Sequence, residues 1–222
     1  MGLLKHIFDN PQNFIQSLDE EQTGLYYFGM GQTKTTSEVR RRIVETADRL
    51  FYQHGIRAVG IDRIIAEAEV AKMSLYKHFA SKDELILATL KYREEQILEF
   101  FRSAMEQHGK RTKDSVRAFF GALKEWVESP GFRGCAFQNA AAELADSDHA
   151  GAQFVSGHKQ RFTDFLRGLV EQSIGKKSAF VAAAVSLLVE GAIVTAVIQG
   201  SSNSVDVARD AAIKLVVEAK GG

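Results

Sequence analysis

Apolar residues at Val39, Ile43, Ala47, Leu50 and Phe51 recur at intervals of three and four, the spacing of one helical face. Thr35-Thr36-Ser37-Glu38 stands in front of them and reads as a capping box, with a hydroxyl for an orphan amide and Glu three residues on. Gly55 is expected to end this helix, because a helix C-terminus often requires the left-handed conformation that Gly accepts. Ile61, Ile64, Ile65 and Ala68 predict a second helix of about two turns, with Gly60 at its cap position. Glu69 and Val70 make a tight connection to a third short helix, in which Leu75 and Phe79 face inward. Lys72, Met73, Ser74, Tyr76 and Lys77 are left on its outer side. Ser81-Lys82-Asp83-Glu84 is a second capping box and opens a long fourth helix, running to about His108-Gly109.

The same period continues to the end of the chain. Val116, Phe119, Phe120, Leu123 and Val127 predict a fifth helix, stopped by Ser129-Pro130-Gly131. A short sixth falls within FRGCAFQNAAAEL, from Phe132 to Leu144. Phe154, His158, Phe162, Phe165 and Leu169 predict a seventh, ending near Gly175. The eighth spans about Ser178 to Gly200, and the ninth starts near Ser204 and carries Val207, Ala211, Leu215 and Glu218. No alternating strand pattern and no internal repeat follows Asp83, so the expected fold is all-α with about nine helices. The expected division is a leading extension over 1–34, a three-helix unit over 35–82 and a helical domain over 83–222.

Charge adds one feature. The 28 basic and 28 acidic residues cancel, yet residues 34–82 hold ten basic against six acidic side chains, a local excess that suits phosphate. Residues 1–33 are acidic, which argues against an arm that grasps DNA. Leu3, Leu4, Ile7 and Phe8, then Phe14, Ile15 and Leu18, read either as two short apolar helices around Asn10-Pro11 that pack on the protein or on a partner, or as a disordered extension, and Met30 is an alternative start. No signal peptide is evident in the first 30 residues, and a lone cysteine, Cys135, fits a reducing compartment, so the expected location is the cytoplasm. Ala179 to Ile198 is long enough to cross a bilayer, for which about 20 residues suffice. Glu190 near its centre costs about 2.5–3.5 kcal/mol on insertion, so the stretch reads as a buried helix and no membrane is expected.

Two short helices joined by a tight turn, with polar and basic residues on the second, form a helix-turn-helix whose second helix fits the major groove. The run IVETADRLFYQHGIRAVGIDRIIAEAEVAKMSLYKHFASKDEL, and within it ADRLFYQHG, LYKHF and SKDEL, closely resembles the DNA-binding domain of the TetR family of transcriptional regulators. Two positions depart from that family: Gly60 replaces a Thr or Ser, and Glu69 replaces a Gly. Glu69 is expected in a left-handed conformation at a cost of about 1 kcal/mol, and it sets a negative charge near the DNA-facing turn. The resemblance implies phosphate contacts by Ser74, Tyr76 and Lys82, and a recurring histidine at His78. Lys72, Met73 and Lys77 match positions that face base edges, and Arg40 and Arg63 are further candidates for DNA.

The resemblance also implies a homodimer on a near-palindromic operator and a cavity for a small effector among helices four to seven. The apolar circumference of the eighth helix, with Ala182, Ala183, Ala184, Gly191, Ala192 and Ala196, suits a four-helix interface made with the ninth helix and its symmetry mates. Ten of the 15 Phe residues lie between 100 and 180, which favours an apolar or aromatic effector. Phe101, Met105, Phe120, Trp126, Phe137, Phe162 and Phe165 are candidate walls, and Asn139, Glu143 and His158 candidate polar anchors. No HExxH, GxSxG, phosphate loop or paired metal ligands occur, so neither catalytic residues, metal nor cofactor is expected. The expected function is a repressor released by effector. The alternative is control by a protein partner, or by oxidation or electrophile modification of Cys135, which lies near Arg133.

Overall fold

The computed structural model describes residues 33–144, 146–175 and 179–221. Among them lie nine helices: α1 Thr33–His54, α2 Ile61–Ala68, α3 Lys72–His78, α4 Lys82–Gly109, α5 Ser115–Val127, α6 Ala136–Glu143, α7 Ala150–Ile174, α8 Ala179–Gln199 and α9 Asn203–Gly221. The all-α expectation holds across the described residues. The two apolar helices expected around Asn10-Pro11 lie outside them, as does Ser178. The chain divides into two units, Met1–Glu38 and Val39–Gly222, and only the opening of α1 is described in the first.

One cap expected from the sequence is not formed. α1 is already helical at Thr33, so Thr35 and Thr36 lie inside the helix instead of capping it. Neither proline nor glycine interrupts this stretch, and nothing stops the helix from extending upstream. The second box does form: Ser81 Oγ accepts from the Glu84 amide at 3.1 Å. The Glu84 carboxylate returns a bond to Ala80 N at 2.8 Å, one residue earlier than the usual reciprocal partner. α6 is shorter than its sequence pattern, because Cys135 occupies the cap position and residues 132–135 precede the helix.

In the second unit, Ile43, Ala47 and Leu50 of α1 are fully buried with Ile64 of α2 and Leu75 of α3. α4 continues from this cluster into the rest of the chain. Arg93, on its second half-turn past that cluster, makes a two-pronged bond to Asp48 of α1 at 2.6 and 2.8 Å. α7 packs against α4, α5, α6, α8 and α9 and forms the axis of the larger bundle, with α8 paired to α9 beside it. Phe119 and Phe120 of α5 and Leu166, Leu169 and Val170 of α7 are almost wholly buried in its core.

α8 buries Val181, Ala182, Val185, Val189, Ala192, Ile193 and Ala196 in the protomer. Its length and hydropathy would suit a membrane span, yet this whole face is packed on α7 and α9, as a core helix is. The opposite face carries Phe180, Leu187 and Ile198, each more than 70% exposed. The Ser81 cap is isolated enough to measure: Ser81→Ala is expected to lower stability by about 1 kcal/mol in urea unfolding, with the helix content of the folded state unchanged.

Candidate nucleic-acid interface and effector domain

The helix-turn-helix is built from α2, a three-residue turn and α3. The turn closes through Glu69 N to Ala66 O at 3.3 Å and Val70 N to Ile65 O at 3.2 Å. This geometry forces Glu69 to φ 52°, ψ 49°, the left-handed conformation expected from its sequence position. Leu75 and Phe79 are buried, which fixes the rotation of α3 and turns its other residues outward. Met73 is 80% exposed and Tyr76 42%, both far too open for core packing. Lys72 and Lys77 are also exposed, whereas Ser74 and His78 are half-buried. Burial lowers the His78 pKa, and Lys77 and Arg40 push in the same direction, so its ring is favoured neutral.

Three of the candidate cations carry internal partners that the sequence did not reveal. Arg63 donates to Glu67 Oε1 at 2.9 Å and meets His54 Nε2 at 3.0 Å, while Arg49 holds the other Glu67 oxygen at 2.8 Å. Lys72 lies 3.4 Å from Asp62. The Lys82 ammonium donates to Ile56 O at 2.7 Å and sits over the Phe51 ring, so burial lowers its pKa. It therefore ties the loop after α1 to the start of α4. An ammonium has two further protons that this bond leaves unused. Arg40 lies over the Phe79 ring at 5.1 Å.

The candidate effector residues fall into two groups. Phe101, Trp126, Phe162 and Phe165 are half-buried, Met105 and Phe120 are buried, and the rings connect through Phe119. Phe137 stacks on His158 with ring centroids 3.5 Å apart. Asn139 and Glu143 lie elsewhere, on the side of α6 toward α1 and α4. There they line a space of about 30 Å³ with Asp48, Tyr52, Thr89 and Arg93, a volume on the scale of one water. The Glu143 carboxylate accepts from Arg57 N at 2.8 Å, and Asn139 donates to Arg133 O at 3.1 Å. A second, open recess of about 520 Å³ lies between the end of α5, the 129–133 loop and the end of α8. Neither space is lined by Phe101, Met105, Phe120, Phe162 or Phe165.

One buried and one half-buried polar cluster are not evident from helical periodicity. Glu94 Oε1 accepts from His158 Nδ1 and from Arg161, each at 2.7 Å, with Arg161 over the Phe154 ring. Burial raises the Glu94 pKa, but the bonds from His158 and Arg161 outweigh it and hold the carboxyl below its usual value. Burial lowers the His158 pKa despite Glu94, so the imidazole is favoured neutral with Nδ1–H facing the carboxylate. The other cluster explains Glu190 in its apolar helix: Lys159 reaches both carboxylate oxygens at 2.8 Å, and Gln138 donates at 2.6 Å. A single acid in an apolar run was the available signal for a buried partner. Lys159 Nζ also lies 3.5 Å from the buried Cys135 Sγ.

A helix-turn-helix with outward polar residues, carried by a separate helical bundle, defines a DNA-binding transcription regulator. The sequence profile described as "Bacterial regulatory proteins, tetR family" matches residues 43–89, from α1 to the first turns of α4. The crystal structure of SCO4454, a TetR-family transcriptional regulator from Streptomyces coelicolor, is 33% identical with a TM-score of 0.74, covering 83% of this chain and 97% of that one. The chain belongs to the TetR family, a non-enzymatic family of transcriptional regulators. Among curated relatives, the transcriptional activator FasR of Mycolicibacterium smegmatis is 32% identical over 46% of this chain and 48% of its own length. The repressor DhaR of Mycobacterium sp. strain GP1 is 25% identical over 60% of this chain and 66% of its own. The chain thus spans about half of one and two thirds of the other.

The polar core generates a pH dependence of stability. His158 has a folded pKa below its ordinary 6.5, so the unfolded chain binds more protons as pH falls through that value, and stability is lost in that direction. Glu94, lowered from 4.5, loses its contribution further into acid. The melting temperature is expected to fall between about pH 7.5 and pH 5, and more shallowly in His158→Gln, as thermal scans at a series of pH values will show.

Proposed function

We propose that the protein is a homodimeric repressor that binds a near-palindromic operator and is released by a small apolar or aromatic effector. The observation that carries the DNA half is α3, which turns Lys72, Met73, Tyr76 and Lys77 outward from a fully buried Leu75. Lys72, Met73 and Lys77 face base edges; Ser74, Tyr76, Lys82 and Arg40 engage phosphates, with His78 at the helix end and Arg63 reaching the backbone only by loosening its hold on Glu67. The protein acts where the DNA is, in the cytoplasm.

The dimer reading is supported by α8 and α9. Phe180, Ala183, Leu187, Gly191, Val194 and Ile198 give α8 an exposed small-and-apolar stripe, extended by Val207 and Val217 of α9. A second copy related by two-fold symmetry covers both. Ala182, Ala192 and Ala196 are buried within the protomer and serve the α8–α9 packing instead.

The effector enters among α4, α5 and α7, where the rings around Phe119 must part to receive it. It favours release only by binding the released state better than the DNA-bound one. α4 carries the change through Lys82 and Ile56, and α6 and the segment before it through three further bonds. Tyr52 accepts from Arg133 N at 2.8 Å and donates to Gly134 O at 2.9 Å ahead of α6, while Glu143 holds Arg57 N at its far end.

The test is DNA binding by the full chain across a salt series, using duplex selected from a random pool. One dimer per site is expected, with affinity falling with salt and the slope reduced by about 0.9 per half-site in Arg40→Ala, which removes a proposed phosphate contact. Leu187→Glu is expected to yield monomers that no longer hold the operator. Sequence-independent binding, or full affinity from a Leu187→Glu monomer, rejects this reading.

One contact favours a second route of control. Lys159 Nζ lies 3.5 Å from Cys135 Sγ while it holds Glu190, so modification of that sulfur would disturb the Lys159–Glu190 pair. On this route a small alkylating reagent releases operator from the wild type and spares Cys135→Ser. Equal release from both rejects it.

A further inference from the structure

Seven acidic side chains lie between Val39 and Glu84. Six of them have internal partners. Glu45 pairs with Arg41, Asp48 with Arg93, Asp62 with Lys72, Glu67 with Arg49 and Arg63, and Asp83 with His149. Glu84 caps Ala80 N. The seventh, Glu69, is exposed, and its carboxylate makes no hydrogen bond or ion pair with any described residue.

The same residue bears the strain of the turn. Among the described residues it is the one non-glycine with positive φ. A glycine would hold this turn without that cost, so the backbone gives no reason for a side chain here. The described residues give none for a negative charge.

The location supplies a reason. Glu69 stands three positions ahead of Lys72 and four ahead of Met73, at the leading end of the recognition helix. Arg42, from the arginine run of α1, reaches its backbone oxygen at 3.5 Å. Glu69 is thus exposed at the leading end of the helix proposed above to read DNA. Phosphate repels it on any sequence. At a base edge it has an acceptor's role, since the exocyclic amino groups of cytosine and adenine donate in the major groove. Repulsion acts on every duplex, whereas the base contact exists only at the right sequence.

We propose that Glu69 is a specificity determinant for the operator: its unpaired carboxylate weakens generic backbone binding, and at the operator it accepts a hydrogen bond from a cytosine or adenine amino group. This rests on the DNA-binding reading above and adds to it a residue outside the usual donor set. The consequence is selectivity gained by penalising wrong sites.

The experiment uses the full chain and a duplex selected from a random pool by the wild type, with a shuffled duplex of equal composition as comparison. Dissociation constants are measured for wild type, Glu69→Gln and Glu69→Gly at several salt concentrations. Glu69→Gln keeps the size of the side chain and the left-handed residue while removing the charge. It is expected to tighten shuffled DNA by about three- to tenfold and to tighten the operator less or weaken it, so that their ratio falls. Glu69→Gly relieves the strain as well and is expected to lose the same discrimination. An unchanged ratio in Glu69→Gln overturns the proposal, as does a change seen in Glu69→Gly alone, which would assign the effect to backbone strain. A wild type that selects no sequence overturns the operator reading itself, an outcome distinct from these two.

Discussion

The grip of α4 on α1 is the constraint on which the arrangement depends. Asp48 and Arg93 meet through two parallel bonds, and the Arg93 guanidinium also lies over the Tyr52 ring at 4.5 Å. Arg suits this place because its planar fork satisfies a carboxylate and stacks on an aromatic face at once. Such a pair, largely removed from solvent, contributes geometry more than stability, since desolvation offsets much of the attraction. It fixes the angle at which α1 meets the long α4 that continues into the larger bundle.

Around that joint the molecule uses two kinds of interior. The DNA-reading cluster is mainly apolar, with Ile43, Leu50, Ile64 and Leu75 closed to solvent and Thr46 buried beside them on α1. The larger bundle instead buries charge at Glu94 beside His158 and Arg161, and half-buries it at Lys159–Glu190. An apolar core tolerates small slides of its helices, because its contacts are non-directional. A hydrogen-bonded charged core admits few arrangements, because a lost partner leaves a buried charge exposed to a low dielectric. The helices around the turn are therefore held chiefly by shape, and the larger bundle also by a small number of directional bonds.

The sequence made the helices legible because their apolar period runs nearly unbroken, and their ends carry recognisable signals at Gly55, Ser81 and Pro130. The left-handed Glu69 was legible for a different reason, since the family it resembles carries at that position a Gly, which accepts the left-handed conformation. Side-chain partners were not. Glu143 looked like an anchor for a ligand on an apolar helix, but it holds the amide of Arg57, 86 residues away. Lys82 looked free for phosphate, but it first satisfies the carbonyl of Ile56. Helical periodicity reports which face is buried and carries no information on which distant backbone atom meets a polar tip. The early helical start at Thr33 was missed because Thr is as acceptable in a first turn as at a cap.

The bonds from Lys82, Glu143 and Tyr52 share one property: each ends on a main-chain atom, Ile56 O, Arg57 N, or Arg133 N and Gly134 O. Main-chain atoms are present whatever residue occupies the position. These bonds therefore do not depend on which side chains the two segments carry, and what constrains those side chains is packing, at the buried Ile56, Val59 and Cys135, and the positive φ of Gly55 and Gly134. A linkage made through atoms that every residue possesses survives any substitution that keeps this packing, and so can outlast wide change in the surrounding sequence.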